Sequence, residues 1–500
     1  MPLRVLIVVL LTLPWLWPFT SGPLSAAEPY LVAAACAGLV LILWPGRWQE
    51  GALLAADSWL VAALLSSAIA LLQYFHLEAP LHPWVNLSKA GQAFGNLRQP
   101  NQLATLLVLG LLALHWRARR LERWRGWALA LAVPLLVALA ATASRTGLVE
   151  LLAAMVLLVW FSRGEAGRCK GAAALAFLAL CVYALAALAL PWALQLDAGQ
   201  TGRSLIDRLQ HAESTCGSRL ILWRNVLALI ALKPWTGWGW GELDWAHLMT
   251  PYEGARFCHI LDNAHNLPLH LAVELGVPVA LVVCALALWL AMRARPWAEQ
   301  DATRQLAWGA LAAIGIHSLV EYPLWYGPFQ MASAMAIGVL VGSAAAVATA
   351  ADQGAPARRL GSPVRKALGV LVLLATAYAA WDYRRVSQLY LPQQQRAAAY
   401  QVNTLEQARR SWLYADAVRF AVVTTHAATP QNAGWLLAQA LQALHFSPEP
   451  SVIERVIESA VYAGRLDLAR QHLARFDAAF ASDAAKWRQE HPLLLQTLGQ

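Results

Sequence analysis

The chain has 500 residues, of which 59% are apolar and only 13% charged. Soluble globular domains hold roughly 45–50% apolar and about 25% charged residues, so this balance excludes an ordinary soluble domain and indicates a membrane protein. The net charge of +9 does not indicate a nucleic-acid partner. The basic residues gather between apolar runs instead: five arginines from Arg117 to Arg125, then Arg163, Arg168 and Lys170, then Arg293, Arg295 and Arg304, then Arg358, Arg359, Arg365 and Lys366. Alternate loops carry this excess, and the positive-inside rule assigns such loops to the cytoplasm.

The first apolar run follows Arg4 and ends in Pro14-Trp15-Leu16-Trp17-Pro18-Phe19. Ser25-Ala26-Ala27 has the form of a cleavage site, but the many spans behind it favour an uncleaved signal anchor. Apolar runs and loop charges together predict roughly eleven membrane helices with a cytoplasmic N-terminus. They lie near 3–19, 30–45, 52–73, 101–116, 126–142, 147–161, 171–193, 266–292, 306–320, 328–350 and 367–381. An odd number of crossings puts everything after Tyr383 in the periplasm.

Three extracytoplasmic segments are more than turns. Residues 74–100 hold His76, His82 and the start of Gly95-Asn96-Leu97-Arg98-Gln99-Pro100-Asn101-Gln102. Residues 194–265 form a large loop. Within it Arg219 to Leu232 is an apolar stripe suited to the membrane interface, and Lys233 to Gly241 alternates tryptophan with glycine. Residues 321–327 form a short aromatic turn. From about 384 the composition becomes polar and rich in Ala and Gln. Helical spacing over 404–422, 434–446, 451–463 and 467–480 predicts a helical-repeat-like (TPR-like) module, of the kind that binds protein or caps a fold.

The expected fold is an all-α polytopic membrane protein. Its transmembrane domain covers 1–382 and includes the periplasmic loop 194–265; a soluble periplasmic helical domain covers 383–500. Cys36, Cys181 and Cys284 fall in apolar spans and Cys169 in a cytoplasmic loop. Cys216 and Cys258 share the large loop, where a disulfide persists in an oxidising periplasm.

Chemistry-bearing residues gather on the periplasmic side. Arg145, in Ser144-Arg145-Thr146-Gly147, sits in a short turn between two apolar helices. A cation there either snorkels to lipid phosphate or grips the phosphates of a lipid-linked substrate. Arg219 opens the apolar stripe at a helix N-terminus, which favours anions. Arg98 and Arg203 are weaker phosphate candidates, and Arg208, Arg224 and Arg256 read as solvated or lipid-facing. His265, in Asn263-Ala264-His265-Asn266, lies where a wet loop meets an apolar segment. It reads either as a hydrogen-bonded structural histidine or as a general base, and its position favours the base. His270 is a lesser candidate. Gln102, Glu321 and Tyr322, at the ends of apolar spans, suit either sugar hydroxyls or helix packing. Cys258, His259, Asp262 and His265 fit no standard structural zinc spacing, and no metal is assigned.

Taken together these motifs resemble the O-antigen ligase and O-polysaccharide polymerase superfamily, and within it the PglL-type bacterial protein O-oligosaccharyltransferases. The resemblance rests on 95–105, Ser144–Gly147, Ser218–Trp223, Pro234–Gly241, His265-Asn266 with Glu274-Leu275-Gly276, and His317–Pro323. It implies a multi-pass, GT-C-like enzyme of the bacterial inner membrane, with no cofactor and no metal. Such an enzyme moves a preassembled glycan from undecaprenyl diphosphate to a serine or threonine hydroxyl of a periplasmic acceptor such as a pilin, with inversion. Arg145, Arg219 and Arg98 would bind the diphosphate, His265 would be the catalytic base, and Asn266, Gln102, Glu321 and Tyr322 would position acceptor or glycan. Membrane lipids are the other expected partner. The same chemistry on lipid A core (a ligase) or on a growing glycan (a polymerase) is the main alternative. A lipid-glycan transporter would carry charges along its spans, whereas these spans are nearly free of charge.

Overall fold

In a computed structural model the protein is described over residues 2–44, 48–163, 166–194, 216–351 and 362–499. Arg203, Arg208, Arg358 and Arg359 lie outside these residues. The described residues contain helices and no strands. In chain order the first seven helices are α1 Pro2–Leu16, α2 Ala27–Leu43, α3 Trp48–Tyr74, α4 Pro100–Arg120, α5 Glu122–Ala141, α6 Arg145–Trp160 and α7 Ala166–Ala193. Next come α8 Arg219–Leu232, α9 Leu243–Met249, α10 Leu267–Leu275, α11 Val277–Ala294, α12 Ala302–Ser318, α13 Gly327–Ala351 and α14 Ser362–Ser387. The tail carries α15 Thr404–Ala408, α16 Ala415–Thr425, α17 Ala433–Ala443, α18 Pro450–Tyr462, α19 Leu466–Ala479, α20 Ala481–Glu490 and α21 Pro492–Leu498.

Among the described residues, five stretches are long and apolar enough to cross a membrane: Glu50–Tyr74, Trp124–Ala141, Cys169–Ala193, Val277–Ala298 and Ser362–Tyr390. Pro2–Leu16, Ala27–Leu43 and Gly327–Ser343 are apolar but shorter. Each of the eleven predicted spans coincides with a helix, with one revision. The run expected as a single span over 266–292 is broken at Gly276, which has φ 88°. Its break has a visible cause, since the Val277 amide donates to the Pro234 carbonyl at 2.8 Å rather than continuing α10.

The chain forms two compact units. One comprises Met1–His211 with Trp289–Tyr378, the other Ala212–Leu288 with Ala379–Gln500. In the first, α3 and α4 lie at the centre, packed against α1, α5, α12 and α13. Leu103, Leu106, Leu107 and Leu109 of α4 are fully buried with Leu135 and Leu139 of α5. Small residues allow the close approach: a Cβ on Gly110 would meet the Cβ of Ala63 at 2.4 Å. Arg4 and Arg117 both pair with Asp57, which neutralises the acid within the bundle.

In the second unit the tail helices pack in succession from α16 to α21 around Leu436, Ile453, Val456, Ile457, Leu473, Phe476 and Trp487. Leu248 of α9, a loop residue, is buried in this same core. The helix expected over 404–422 is split into α15 and α16. The Asp382 carboxylate accepts from the amides of Trp412 (3.2 Å) and Leu413 (2.9 Å) and from the Ser411 hydroxyl (2.9 Å), so those amides are withdrawn from a helical ladder.

Candidate functional site

The candidate residues divide between the two units. In the first, Gly95–Leu97 is a single turn, Arg98 adopts φ 63°, and Pro100 starts α4 at a position where its missing N–H costs nothing. The Arg98 guanidinium donates to the Pro18 carbonyl and, at 3.3 Å, to Asn86. Burial lowers its pKa. These bonds tie the 95–102 run to the end of α1 and commit Arg98 to the fold.

Ser144 caps α6: its hydroxyl accepts from the Gly147 amide at 2.9 Å and donates to the Asn101 side-chain oxygen at 2.7 Å. The same Asn101 amide donates to Glu321 at 3.1 Å. One turn further along α4, the Thr105 hydroxyl lies 2.8 Å from both Glu150 of α6 and the Nδ1 of His317 of α12. Thr105 and His317 are 0% exposed and Glu150 1%. Two adjacent turns of α4 therefore clamp the Ser144–Arg145 turn, α6 and the 317–321 segment together. Arg145, first residue of α6, is exposed above this buried network. Gln102 is buried in the bundle, and Tyr322 is half-buried and stacked on Tyr326.

In the second unit α8 is the spine of the loop. Ser218 caps it by accepting from the Ile221 amide, and half-buried Arg219 is its first residue. Leu222, Val226 and Leu229 face inward onto Phe257, Leu261, Ala264 and Val273, whereas Leu220, Leu227 and Leu232 are exposed. Two α8 side chains hold the catalytic candidate's loop. The Trp223 indole donates to the Ala264 carbonyl at 3.0 Å, and Asn225 accepts from the Phe257 amide at 2.8 Å. Cys216 and Cys258 are disulfide-bonded, with Cα atoms 5.3 Å apart, and join the start of this unit to the same loop. Arg256 differs from its expected solvated setting: its guanidinium donates to the carbonyls of His247 (2.7 Å) and Thr250 (3.1 Å).

His265 is half-buried at φ 48°, a conformation that a non-glycine residue keeps only when its surroundings fix it. Its amide donates to the Asn263 side chain at 2.9 Å. Asn266 caps α10 by accepting from the Leu269 amide at 3.0 Å. The asparagines on either side of His265 thus hold the backbone at the entrance to α10. Behind it, His270 Nδ1 accepts from the Ala264 amide at 3.5 Å, which leaves Nε2–H to face Glu274 at 3.5 Å. Burial, reinforced by the nearby His265, lowers the His270 pKa to about 4, so this ring is held neutral. Burial raises Glu274 to about 7 against the Gly241 amide, which donates to it at 3.0 Å.

The Trp-Gly segment is anchored to the same helix. The Trp238 and Gly239 amides donate to the carbonyls of Val273 (2.9 Å) and Glu274 (3.0 Å). Lys233 lies 4.1 Å over the Trp238 ring. Trp235 and Trp240 remain largely exposed, at 78% and 63%. Sequence reading missed Asn101, Thr105 and Glu150. The available signals were a lone acid in the apolar run 147–161 and two polar residues four apart at the start of α4.

Three comparisons with known families follow this geometry along the chain. Residues 93–118, which hold Arg98 and Gln102, match the protein glycosylation ligase family. Residues 130–284, with Arg145, Arg219 and His265, match the O-antigen ligase family. Residues 305–494, with Glu321 and Tyr322, match the C-terminal family of virulence factor membrane-bound polymerases. A curated relative, the general O-oligosaccharyltransferase of Acinetobacter baylyi (strain ATCC 33305 / BD413 / ADP1), is 27% identical over 285 residues. The match covers 55% of this chain and 48% of the relative, so it spans about half the length of each. The chain thus resembles, over most of its length, the O-antigen ligase and polymerase superfamily, and within it the PglL-type protein glycosylation ligases.

Proposed function

We propose that the protein is a glycosyltransferase that moves a preassembled oligosaccharide from undecaprenyl diphosphate to a serine or threonine hydroxyl of a periplasmic protein such as a pilin. It would do so with inversion, from the periplasmic face of a bacterial inner membrane. In this reading the N-terminus is cytoplasmic, the domain over 1–382 carries the transfer chemistry, and the helical domain over 383–500 is periplasmic. The observation that carries the proposal is the His265 junction. A half-buried imidazole is held in a left-handed conformation by Asn263 and the capped start of α10, in a segment matching a ligase family. A hydroxyl nucleophile is a poor one at neutral pH and needs a base at such a position. A departing diphosphate needs cations, and Arg145 and Arg219, each opening a serine-capped helix, are suited to that charge. Arg98, already bonded to Pro18 and Asn86, would contribute by shaping the 95–102 run. Asn266, Glu321 and Tyr322 would position acceptor or glycan, and buried Gln102 would brace them.

The test is reconstituted transfer: the full chain in vesicles, an undecaprenyl-diphosphate-linked glycan and a purified pilin, read by intact-protein mass. A glycan-sized gain is expected with the natural chain and not with His265→Ala. Equal gain with the variant would remove His265 from the mechanism. The polymerase match over 305–494 favours a second reading, in which the acceptor is a growing glycan. Chain extension of the lipid-linked glycan, with pilin unmodified, would establish that reading instead.

A further inference from the structure

α14 ends its apolar stretch with aromatic and basic residues. From Ser362 to Trp381 the helix rises roughly 28 Å at about 1.5 Å per residue, close to the ~30 Å hydrocarbon core of a bilayer. Leu371, Leu374, Tyr378 and Trp381 are exposed along one side of it, with the two aromatic residues at the far end. Tryptophan and tyrosine favour the headgroup layer, which puts that layer at the level of Trp381. We infer that the loop 409–413, held against this end of α14, is a docking surface for phospholipid headgroups, with Trp412 and Leu413 set among them. The inference takes α14 as a membrane-crossing helix and does not depend on the transfer chemistry.

Hydrogen bonds to one carboxylate fix the placement. Asp382 follows Trp381 directly and is 0% exposed. Its Oδ2 accepts from the Ser411 hydroxyl and from the Trp412 and Leu413 amides. Its Oδ1 accepts from the Arg385 guanidinium, which lies 4.1 Å over the Trp381 ring. Donors from three consecutive residues on one ionised oxygen hold the loop at the level of Trp381. Val386, buried among Ala408, Ala417 and Val418, packs the same helix end against α15 and α16. Swinging the loop away would strip a buried carboxylate of its partners and open that apolar cluster.

The side chains of the loop set the class of partner. Trp412 is 75% exposed and Leu413 45%, so two large apolar groups stand side by side at the end of a span. Single exposed apolar residues are ordinary on a protein surface, but a tryptophan at this level has the headgroup layer as its neighbour. The surrounding charge is basic. Arg384, Arg409 and Arg410 are exposed, while the nearby acids are engaged: Asp382 with Arg385, Glu406 with Arg409 at 3.1 Å, and Asp416 with Arg419. Among the described residues, Arg384 and Arg410 pair with none of these acids. Guanidinium groups beside an indole suit phosphates that lie above hydrocarbon. A stable protein interface buries about 800 Å² on each partner, far more than two side chains supply, so the observations favour the membrane.

The experiment is photocrosslinking of the full chain in nanodiscs, read by the mass of tryptic peptides. The probe is phosphatidylglycerol with a diazirine either at the headgroup or midway along an acyl chain. Headgroup adducts are expected on the peptide 411–419 and acyl adducts on α14. Trp412→Gln changes a largely exposed side chain and leaves the packing intact. It should lower the headgroup yield on that peptide about tenfold, the effect of one large apolar side chain leaving an apolar setting. Arg384→Gln should lower it about fivefold, the effect of one basic group at a membrane surface. Acyl adducts on α14 without headgroup adducts on 411–419 would overturn the inference and leave Trp412 and Leu413 to a protein partner. An unchanged yield in Trp412→Gln would overturn it too. Acyl adducts missing from α14 itself would show that this helix does not cross the bilayer, and the inference would fall with that reading.

Discussion

Gly237 and Gly276 face each other across a contact that has no room for a side chain on either. A Cβ on Gly237 would lie 2.3 Å from the Glu274 carbonyl oxygen, and one on Gly276 would lie 2.3 Å from the Trp235 carbonyl oxygen. Both residues have positive φ, 67° and 88°. This contact, with the Val277–Pro234 hydrogen bond beside it, fastens the Trp-Gly segment to the helix that follows His265.

Gly276→Ala is therefore expected to free residues 235–241 from α10. Left-handed strain and backbone overlap together cost about 2 kcal/mol or more. Hydrogen exchange at the Trp238 and Gly239 amides should accelerate by a factor of ten or more, roughly what that energy implies. Unchanged protection at those two amides would show that the segment is held by other contacts.

Asp244 provides a pH test. Its carboxyl is buried, and burial raises its pKa from 3.8 to about 7, with Asp262 and Glu242 adding to the rise and the Trp245 amide opposing it. Between these values the folded protein holds a proton that the unfolded chain has released, so this group's contribution to stability falls as pH rises through the window. Asp244→Asn removes the titration. Its thermal midpoint relative to the natural chain should thus be higher at pH 8 than at pH 5. An equal difference at both pH values would exclude a buried, protonated Asp244.

Thr105→Val keeps the shape of the side chain and deletes the hydroxyl that touches both Glu150 and His317. Leaving buried partners short of a hydrogen bond costs about 1–3 kcal/mol. A fall of several degrees in thermal midpoint is expected, together with a reduced transfer rate because the Arg145 turn rests on the same helix. Thr105→Ser should restore both. If the valine variant melts and transfers like the natural chain, the network has no energetic role.

The Cys216–Cys258 bond closes a loop with a sequence separation of 42 residues. Loop-closure entropy gives it an upper value of roughly 4 kcal/mol. Alkylation without reductant should leave both thiols unmodified, and prior reduction should expose both. Paired replacement by serine should increase proteolysis within 216–266 without affecting the first unit. Two freely alkylated thiols in the unreduced protein would exclude the bond.

Much of the fold was legible because helices and their caps are local. Apolar runs marked helices to within a few residues, and Ser144, Ser218 and Asn266 stand at the capping positions their side chains favour. Where local pattern failed, a distant group had intervened. Pro234 took the amide of Val277 and broke one expected helix, and Asp382 took the amides of Trp412 and Leu413 and broke another. Hydropathy cannot register either event, because it reads side-chain polarity and not the partner that a backbone amide finds.

The candidate site shows the same division. The sequence alone singled out Arg145, Arg219 and His265, since charged or titratable groups at the ends of apolar segments are conspicuous against a lipid-facing background. It could not show that Asn101, Ser144 and Glu321 form one chain of hydrogen bonds, or that Thr105 joins Glu150 to His317. These partners are separated by tens to hundreds of residues. Nor could it place Leu248 of the loop in the core of the tail, or stack Trp245 on His445. Composition and periodicity determined that this chain is helical, membrane-bound and polar at one set of helix ends. Only the packed structure decided which polar groups meet, because a buried hydrogen bond depends on the three-dimensional neighbour and carries no period along the chain.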